Sequence, residues 1–262
     1  MLAEFVEYIL TPCPPVARKL GLLKEAVAIR ARFGRCRKAW QEHLQNCHSF
    51  ILDVSRNCPR RKTALILGSG ALLDIPIEAL ASSFDQVVLA DLVHPLNARW
   101  RTRTLRNVRL ETRDLTGTLD QAANGRLPSR TPINFYQDHP LGPPELPILP
   151  DLVVSANILS QLALLPVKYL AVTKGHSQEG LEAYAKSLAE EHLAWLTHFS
   201  GSVCLITDTA SFLASQRQDL LPGISLPEPS RTWTWNIAPR PEAHPHHDLT
   251  HSVAGIVLSQ RS

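Results

Sequence analysis

A chain of 262 residues with 44% hydrophobic and 19% charged side chains has the apolar content for a sizeable core, which excludes a disordered polymer. Its formal net charge of +3 selects no partner class, and no run of 18 apolar residues marks a membrane span. Five cysteines, odd in number and without a Cys-x-x-Cys pair, exclude a disulfide framework and fit a reducing cytoplasm.

The first ten residues, MLAEFVEYIL, carry acids where a secretory signal has a basic segment, so the mature chain is expected to begin here. Residues 1–60 read as a helical N-terminal extension, broken by Cys13-Pro14-Pro15 and then helical from about Leu22 to Cys58. Cys36, Cys47 and Cys58 recur every 11 residues, three helical turns, and share one face. Thiols about 16 Å apart along a helix cannot share a metal, so that face is expected to pack. Eight basic residues (Arg18, Lys19, Lys24, Arg30, Arg32, Arg35, Arg37 and Lys38) stand against Glu25 alone. They offer either a solvated face or an anion-binding one.

The most informative stretch follows at Thr63–Pro95. An apolar strand over 64–68 enters Gly68-Ser69-Gly70; a helix over about 74–84 is expected to open at Asp74; a second strand over 86–90 closes on Asp91. A strand, a glycine turn and a helix start would gather backbone N–H groups at one point, and Asp91 lies where a ribose presents its hydroxyls. This is the pattern of a nucleoside-binding βαβ unit. A dinucleotide fingerprint asks for a small residue where Leu73 stands, which disfavours NAD or FAD.

A basic stretch (Arg99, Arg101, Arg103, Arg106, Arg109 and Arg113) surrounds a third strand over 107–111. Gly117–Pro150, with seven prolines, reads as a long loop beside the ligand end of the sheet, and a fourth strand covers 151–155. An amphipathic helix over 180–199 precedes a strand over 203–207 that ends in Asp208. Segments 231–238 and 252–259 then pair as an antiparallel hairpin across PRPEAHPHHDLTH.

Leu65-Ile66-Leu67-Gly68-Ser69-Gly70, Val87-Val88-Leu89-Ala90-Asp91, Val108–Leu115 and Asp151–Leu162 together resemble the ordered motifs of class I S-adenosylmethionine-dependent methyltransferases. The resemblance spans about residues 60–260 and departs from that family at Leu72, where a third glycine is common. It implies an α/β, Rossmann-like sheet of parallel strands closed by a C-terminal β-hairpin, with residues 61–262 as the S-adenosylmethionine-binding domain. The helical extension 1–60 would serve as a lid or acceptor-site element. The cofactor would meet Gly68, Ser69 and Gly70, its ribose Asp91 beside Leu92, its adenine Asp114 and Leu115, and its amino group Asn157. The implied reaction is methyl transfer to a small molecule or peptide; a catalytically silent binding or assembly module is the alternative. An RNA methyltransferase and an NAD-linked oxidoreductase rank below both, the latter because the sheet should close on a hairpin rather than a sixth parallel strand.

Methyl transfer is an in-line displacement that needs positioning and, for some acceptors, a base. Ser155-Ala156-Asn157-Ile158 lacks the Asn/Asp-Pro-Pro-aromatic string of nucleobase and glutamine N-methylation. Candidate catalytic residues are His139, Asn157 and His176, with His94 at the mouth of the nucleoside site; Asn157 reads equally as a helix cap. The cluster His244, His246, His247, Asp248 and His251 could bind zinc or nickel, but it occupies a hairpin turn where adjacent imidazoles diverge. No metal site is therefore assigned, and neither a nucleic acid nor a membrane is expected as partner.

Overall fold

In the computed structural model, residues 2–128, 150–173 and 175–258 are described. Three helices lead the chain: α1 (Leu2–Leu10), α2 (Pro15–Lys19) and α3 (Leu22–Arg56). Pro15 sits in the first turn of α2, where its missing N–H costs nothing, and α3 runs 35 residues. Its buried positions Leu23, Val27, Trp40, Cys47, Phe50, Ile51 and Val54 keep the three-to-four spacing of one helical face.

The sheet follows as β1 (Thr63–Leu67), β2 (Gln86–Asp91), β3 (Val108–Thr112), β4 (Leu152–Ala156), β5 (Ser202–Leu213), β6 (Gln216–Asp219), β7 (Arg231–Ala238) and β8 (Leu249–Leu258). Between strands lie α4 (Ile77–Ser83), α5 (Leu96–Thr102), α6 (Leu119–Ala123), α7 (Leu164–Ala171) and α8 (Gln178–Leu196). The strand order is β3-β2-β1-β4-β5-β8-β7, with β6 paired to β5 alone. The first five strands are parallel; β8 runs antiparallel to both β5 and β7. Parallel strands closed by a C-terminal hairpin whose last strand inserts beside β5 make this the Rossmann-like class I methyltransferase sheet, not a six-stranded parallel dinucleotide fold.

Period-two alternation sends successive side chains to opposite faces. Ala64, Ile66, Val87, Leu89, Leu152, Val154, Cys204 and Ile206 form one layer with α3 and α4. Leu65, Leu67, Val88, Val153, Val203 and Leu205 form the other with Ala189, Trp195 and Leu196 of α8. Helices cover both faces, which is why these strands read as unbroken apolar runs. Gly255 of β8 lets α3 close on the sheet, because a Cβ there would meet the Phe50 ring at 2.9 Å. Cys36, Cys47 and Cys58 are all buried, so the three-thiol face packs, although Cys58 lies just past the end of α3.

Several sequence expectations change. The helix expected from Asp74 begins only at Ile77, so no helix start abuts the glycine turn. The basic stretch after β2 contains α5, and the long loop from Gly117 contains α6. Strand β5 does not end at Asp208 but continues through a bulge to Leu213 and turns into β6. Residues 129–149, including His139, lie outside the described residues.

Candidate functional site

The sheet reverses its winding at β1, whose neighbours are β2 and β4. Ligands of open α/β sheets sit at such a switch point, beyond the carboxyl ends of the strands. Here the ends of β1 and β4 touch: Gly68 has φ +72°, and a Cβ on it would collide with Ile158 Cγ2. The absent side chain of Gly68 therefore admits Ile158. Gly70 has φ +45° and open space where a side chain would project, the nearest atom being Gly68 O at 3.9 Å. Ser69 is buried between them, and its hydroxyl has no partner among the described residues.

Asp91 holds this loop. Its Oδ2 accepts from Gly70 N at 2.8 Å and its Oδ1 from Val93 N at 3.1 Å. Burial pushes the carboxyl above its usual range, against the opposing pull of the Gly70 N–H and of His94. His94 is not at a mouth, as the sequence suggested. It is 1% exposed, its Nε2 lies 3.1 Å from Glu111 O, and burial holds the ring below its usual value.

In place of a helix, side chains order the segment after Gly70. Asn97 donates to Ala71 O at 2.9 Å, Arg101 to Leu72 O at 2.6 Å, and His48 Nε2 lies 2.9 Å from Leu73 O. Three consecutive carbonyls are thus met from α5 and α3. Leu72, where a third glycine is common in the resembled family, adopts φ +57° and is fully buried. The backbone keeps a glycine-like conformation while the side chain joins the core.

Leu92 and Val93 tie α1 and α2 to this end of the sheet: Val93 shares a buried cluster with Ala17, Leu23 and Val27, against which Tyr8 and Leu92 pack, and Leu92 also packs against Leu20, Leu119 and Ala123. Asp114 is turned into its own loop, Oδ1 accepting from Thr116 N and Oγ1, both at 2.8 Å, and Oδ2 from Leu119 N at 2.9 Å. An adenine amino group would have to share Oδ2 with the start of α6. Leu115 packs with the apolar layer containing Leu67 and Ala90.

A second polar group lies across the switch point, among α3, the segments that follow β1 and β4, and residues of β5, β7 and β8. Asn157 is not a helix cap. It has φ +54°, in the left-handed region that asparagine tolerates, and donates from Nδ2 to Asp74 Oδ2 at 2.7 Å. Its Nδ2 also lies 3.9 Å from Cys47 Sγ. Cys47 Sγ is 3.5 Å from Nε2 of His43, whose Nδ1 accepts from Trp233 Nε1 at 3.0 Å. The His43 ring stacks on Trp235 at 4.0 Å with 8° between planes. On the sheet side, Asp208 Oδ2 faces His251 Nδ1 at 3.1 Å. Burial drives His43 down to about 3 and Asp74 up to about 6, the latter reinforced by Asp208 and Asp91 and resisted by Asn157. Of this group the sequence singled out Asn157 and, in another context, His251, but not Asp74, Asp208, His43 or Cys47 as site residues. Asp74 looked like a helix cap, and an acid ending the apolar run VCLIT was the one available signal for Asp208.

The remaining candidates separate. His176 pins Gly125 O at 3.0 Å, beside the start of α8 and away from both polar groups. His251 belongs to β8 and points at Asp208, whereas His246 and His247 stay exposed in the turn and His244 is half-buried there; no metal-binding group occurs among the described residues. Much of the basic charge is spoken for internally. Arg18 donates to the carbonyls of Tyr8 and Thr11, Arg30 pairs with Glu7, and Arg35 with Glu242. Arg99 donates to His94 O, Arg101 pairs with Glu78 and Arg113 with Glu111. No described helix is long and apolar enough to cross a membrane.

No protein-family model matches the chain, and no curated protein matches it either. Among solved structures, one described as a DhpI–SAH complex is 13% identical over 90% of this chain and 96% of its own, with a TM-score of 0.38. A DhpI–SAM–HEP complex is 17% identical with a TM-score of 0.33, over 70% of this chain; the match spans only 63% of that chain's length. The Burkholderia thailandensis 1,6-didemethyltoxoflavin-N1-methyltransferase, bound to 1,6-didemethyltoxoflavin and S-adenosylhomocysteine, is 14% identical over 93% and 91%, with a TM-score of 0.38. The 23S rRNA methyltransferase ErmE is 11% identical over 81% and 68%, with a TM-score of 0.34. Likenesses this distant, to enzymes of unlike acceptors, do not decide between functions. The assignment of fold rests on the strand order.

Proposed function

We propose that this chain is an S-adenosylmethionine-dependent methyltransferase acting on a small-molecule or peptide acceptor in the cytoplasm. The observation that carries the reading is the Gly70–Asp91 pairing at the carboxyl ends of β1 and β2, inside a sheet of this order. Residues present there fit the cofactor: the buried Ser69 hydroxyl lacks a partner, Gly70 leaves room for close approach, and Asp91 retains lone pairs for ribose hydroxyls. Leu73 stands where a dinucleotide site is small, and no helix start abuts the glycine turn to receive a pyrophosphate.

When bound, S-adenosylmethionine supplies a sulfonium methyl group: its S–CH3 bond breaks with the electron pair passing to sulfur as the acceptor lone pair bonds carbon. The protein's work is positioning. Asp91 orients the ribose end while its Gly70 contact keeps the loop shut, and the α1–α2 segment, packed on Leu92 and Val93, covers that end as a lid. Asn157, bonded to Asp74 in the second polar group, orients the acceptor against the methyl donor. Asp74, raised to about 6 by burial and so still a carboxylate at pH 7, accepts the proton that a methylated N–H or O–H nucleophile must lose. The five thiols are all free, in keeping with a reducing compartment.

The test is thermal unfolding with S-adenosylhomocysteine. A ligand at 100 times its dissociation constant stabilises the fold by about 2.7 kcal/mol, so millimolar ligand should raise the transition clearly and NAD should not. An unmoved transition in a folded sample would favour the silent module, and a shift with NAD alone would favour the oxidoreductase.

A further inference from the structure

Resting on the methyltransferase reading, we infer that the polar group among α3, the end of β4 and residues Asp208 of β5 and His251 of β8 is the acceptor site, and that it takes a small protonated amine. Two carboxylates, Asp74 and Asp208, meet there without an Arg or Lys partner among the described residues. Asp208 is 2% exposed, and its Oδ1 has no hydrogen-bond partner; Asn157 is 8% exposed, and its Oδ1 is likewise unmet. A buried acceptor left unmet costs about 1–3 kcal/mol, more when charged. Two unmet acceptor oxygens, beside an Asp74 carboxylate that accepts from Asn157, call for a donor, and a cationic one offsets two carboxylates.

Alternatives inside the molecule fail. His251 faces Oδ2 of Asp208, not the unmet Oδ1, and the neutral His43 ring is engaged with Trp233, Cys47 and the face of Trp235. The described side chains form no metal-binding group here. An ammonium brings three N–H donors and no acceptor, which suits Asp208 Oδ1, Asn157 Oδ1 and Asp74 together. Trp235 adds a buried indole N–H with no partner, so an oxygen near the amine would also be met. Asp74 is the half-buried member of the set, and the ligand enters past it.

The experiment uses the full chain saturated with S-adenosylhomocysteine and a matched trio of probes: 2-aminoethanol, ethylene glycol and glycolate, similar in size but positive, neutral and negative. The Trp235 indole N–H resonance, assigned with Trp235→Phe, reports occupancy by NMR. We expect saturable displacement by 2-aminoethanol in the millimolar range, none by glycolate, and at least tenfold weaker binding in Asp208→Asn. Asp74→Asn, an isosteric change on a loop, should weaken it similarly and serves if Asp208→Asn does not fold. Equal response to ethylene glycol, an unchanged midpoint in both variants, or no displacement would overturn the inference and leave ordered water as the partner of these oxygens. Amine binding without S-adenosylhomocysteine binding would keep the site but end the methyltransferase reading; the reverse would end the amine site alone.

Discussion

The two polar groups at the carboxyl end of this sheet are built differently. On the nucleoside side, Asp91 has both oxygens bonded to backbone N–H groups close along the chain, at Gly70 and Val93. On the opposite side, Asp74, Asn157, Asp208, His43 and Trp235 come from five separate elements or loops, and Asn157, Asp208 and Trp235 each keep an unmet polar atom. The first is a preorganised loop held by Asp91 and by side chains of α3 and α5; the second is incomplete until something supplies hydrogen-bond donors. A cofactor common to many enzymes suits the former, and a particular acceptor suits the latter.

The sharpest way to break the nucleoside side is Gly68→Ala. Its φ of +72° costs an alanine about 1–2 kcal/mol, and the new methyl group collides with Ile158 in a packed interior for about 1–3 kcal/mol more. Denaturant unfolding should show a loss of about 2–5 kcal/mol together with loss of S-adenosylhomocysteine binding. A near-neutral change would mean that β1 and β4 do not meet as described.

Asp74→Asn probes the other side at slightly smaller scale. A carboxyl raised to about 6 in the fold, from near 3.9 when unfolded, keeps its proton longer in the native state. Its ionisation therefore lowers stability as pH rises between about 4 and 6, and the loss persists above 6. Removing the charge should stabilise the ligand-free protein at pH 7 by about 1–3 kcal/mol, with little gain at pH 4. Unfolding curves at the two pH values decide it; equal effects would show that the carboxylate is solvated.

How much of this contrast was written legibly in the chain follows from its geometry. The strands, the 35-residue α3 and the closing hairpin show through because a strand buried on both faces is an unbroken apolar run, and a long helix repeats its apolar face. The glycine turn and Asp91 are recognisable because their partners lie nearby in sequence. Asp74 misled because an acid before an apolar stretch looks like a cap, whereas its partner Asn157 is 83 residues away. Asp208 and His251 belong to paired strands whose register no local pattern specifies. Leu72 concealed a left-handed backbone, since only glycine advertises that conformation in sequence.

Two smaller effects sharpen the contrast by marking what lies outside both groups. His192, buried beneath Ser155 with Nε2 and Oγ 2.8 Å apart, is depressed to about 4 by burial. The unfolded chain protonates first as pH falls below 6.5, so this histidine removes stability between about 6.5 and 4. His192→Gln should flatten that part of the stability–pH curve without altering S-adenosylhomocysteine affinity at pH 7. A curve as steep as that of the parent would assign the acid loss to His43, depressed to about 3 by burial at the acceptor site. Arg35→Ala, which removes an exposed pair to Glu242, should change stability by less than about 1 kcal/mol. A larger loss by the same assay would make the α3-to-hairpin contact a structural clamp.

The most direct measurement is isothermal titration of S-adenosylhomocysteine into the parent protein and Asp91→Ala. The parent should bind with a dissociation constant in the micromolar range. The variant should bind at least about tenfold more weakly, because charge-assisted hydrogen bonds to ribose, worth roughly 1.5–3 kcal/mol each, are lost along with the Gly70 tether. Unchanged affinity in a folded variant, or no heat from the parent while NAD binds, would contradict the account.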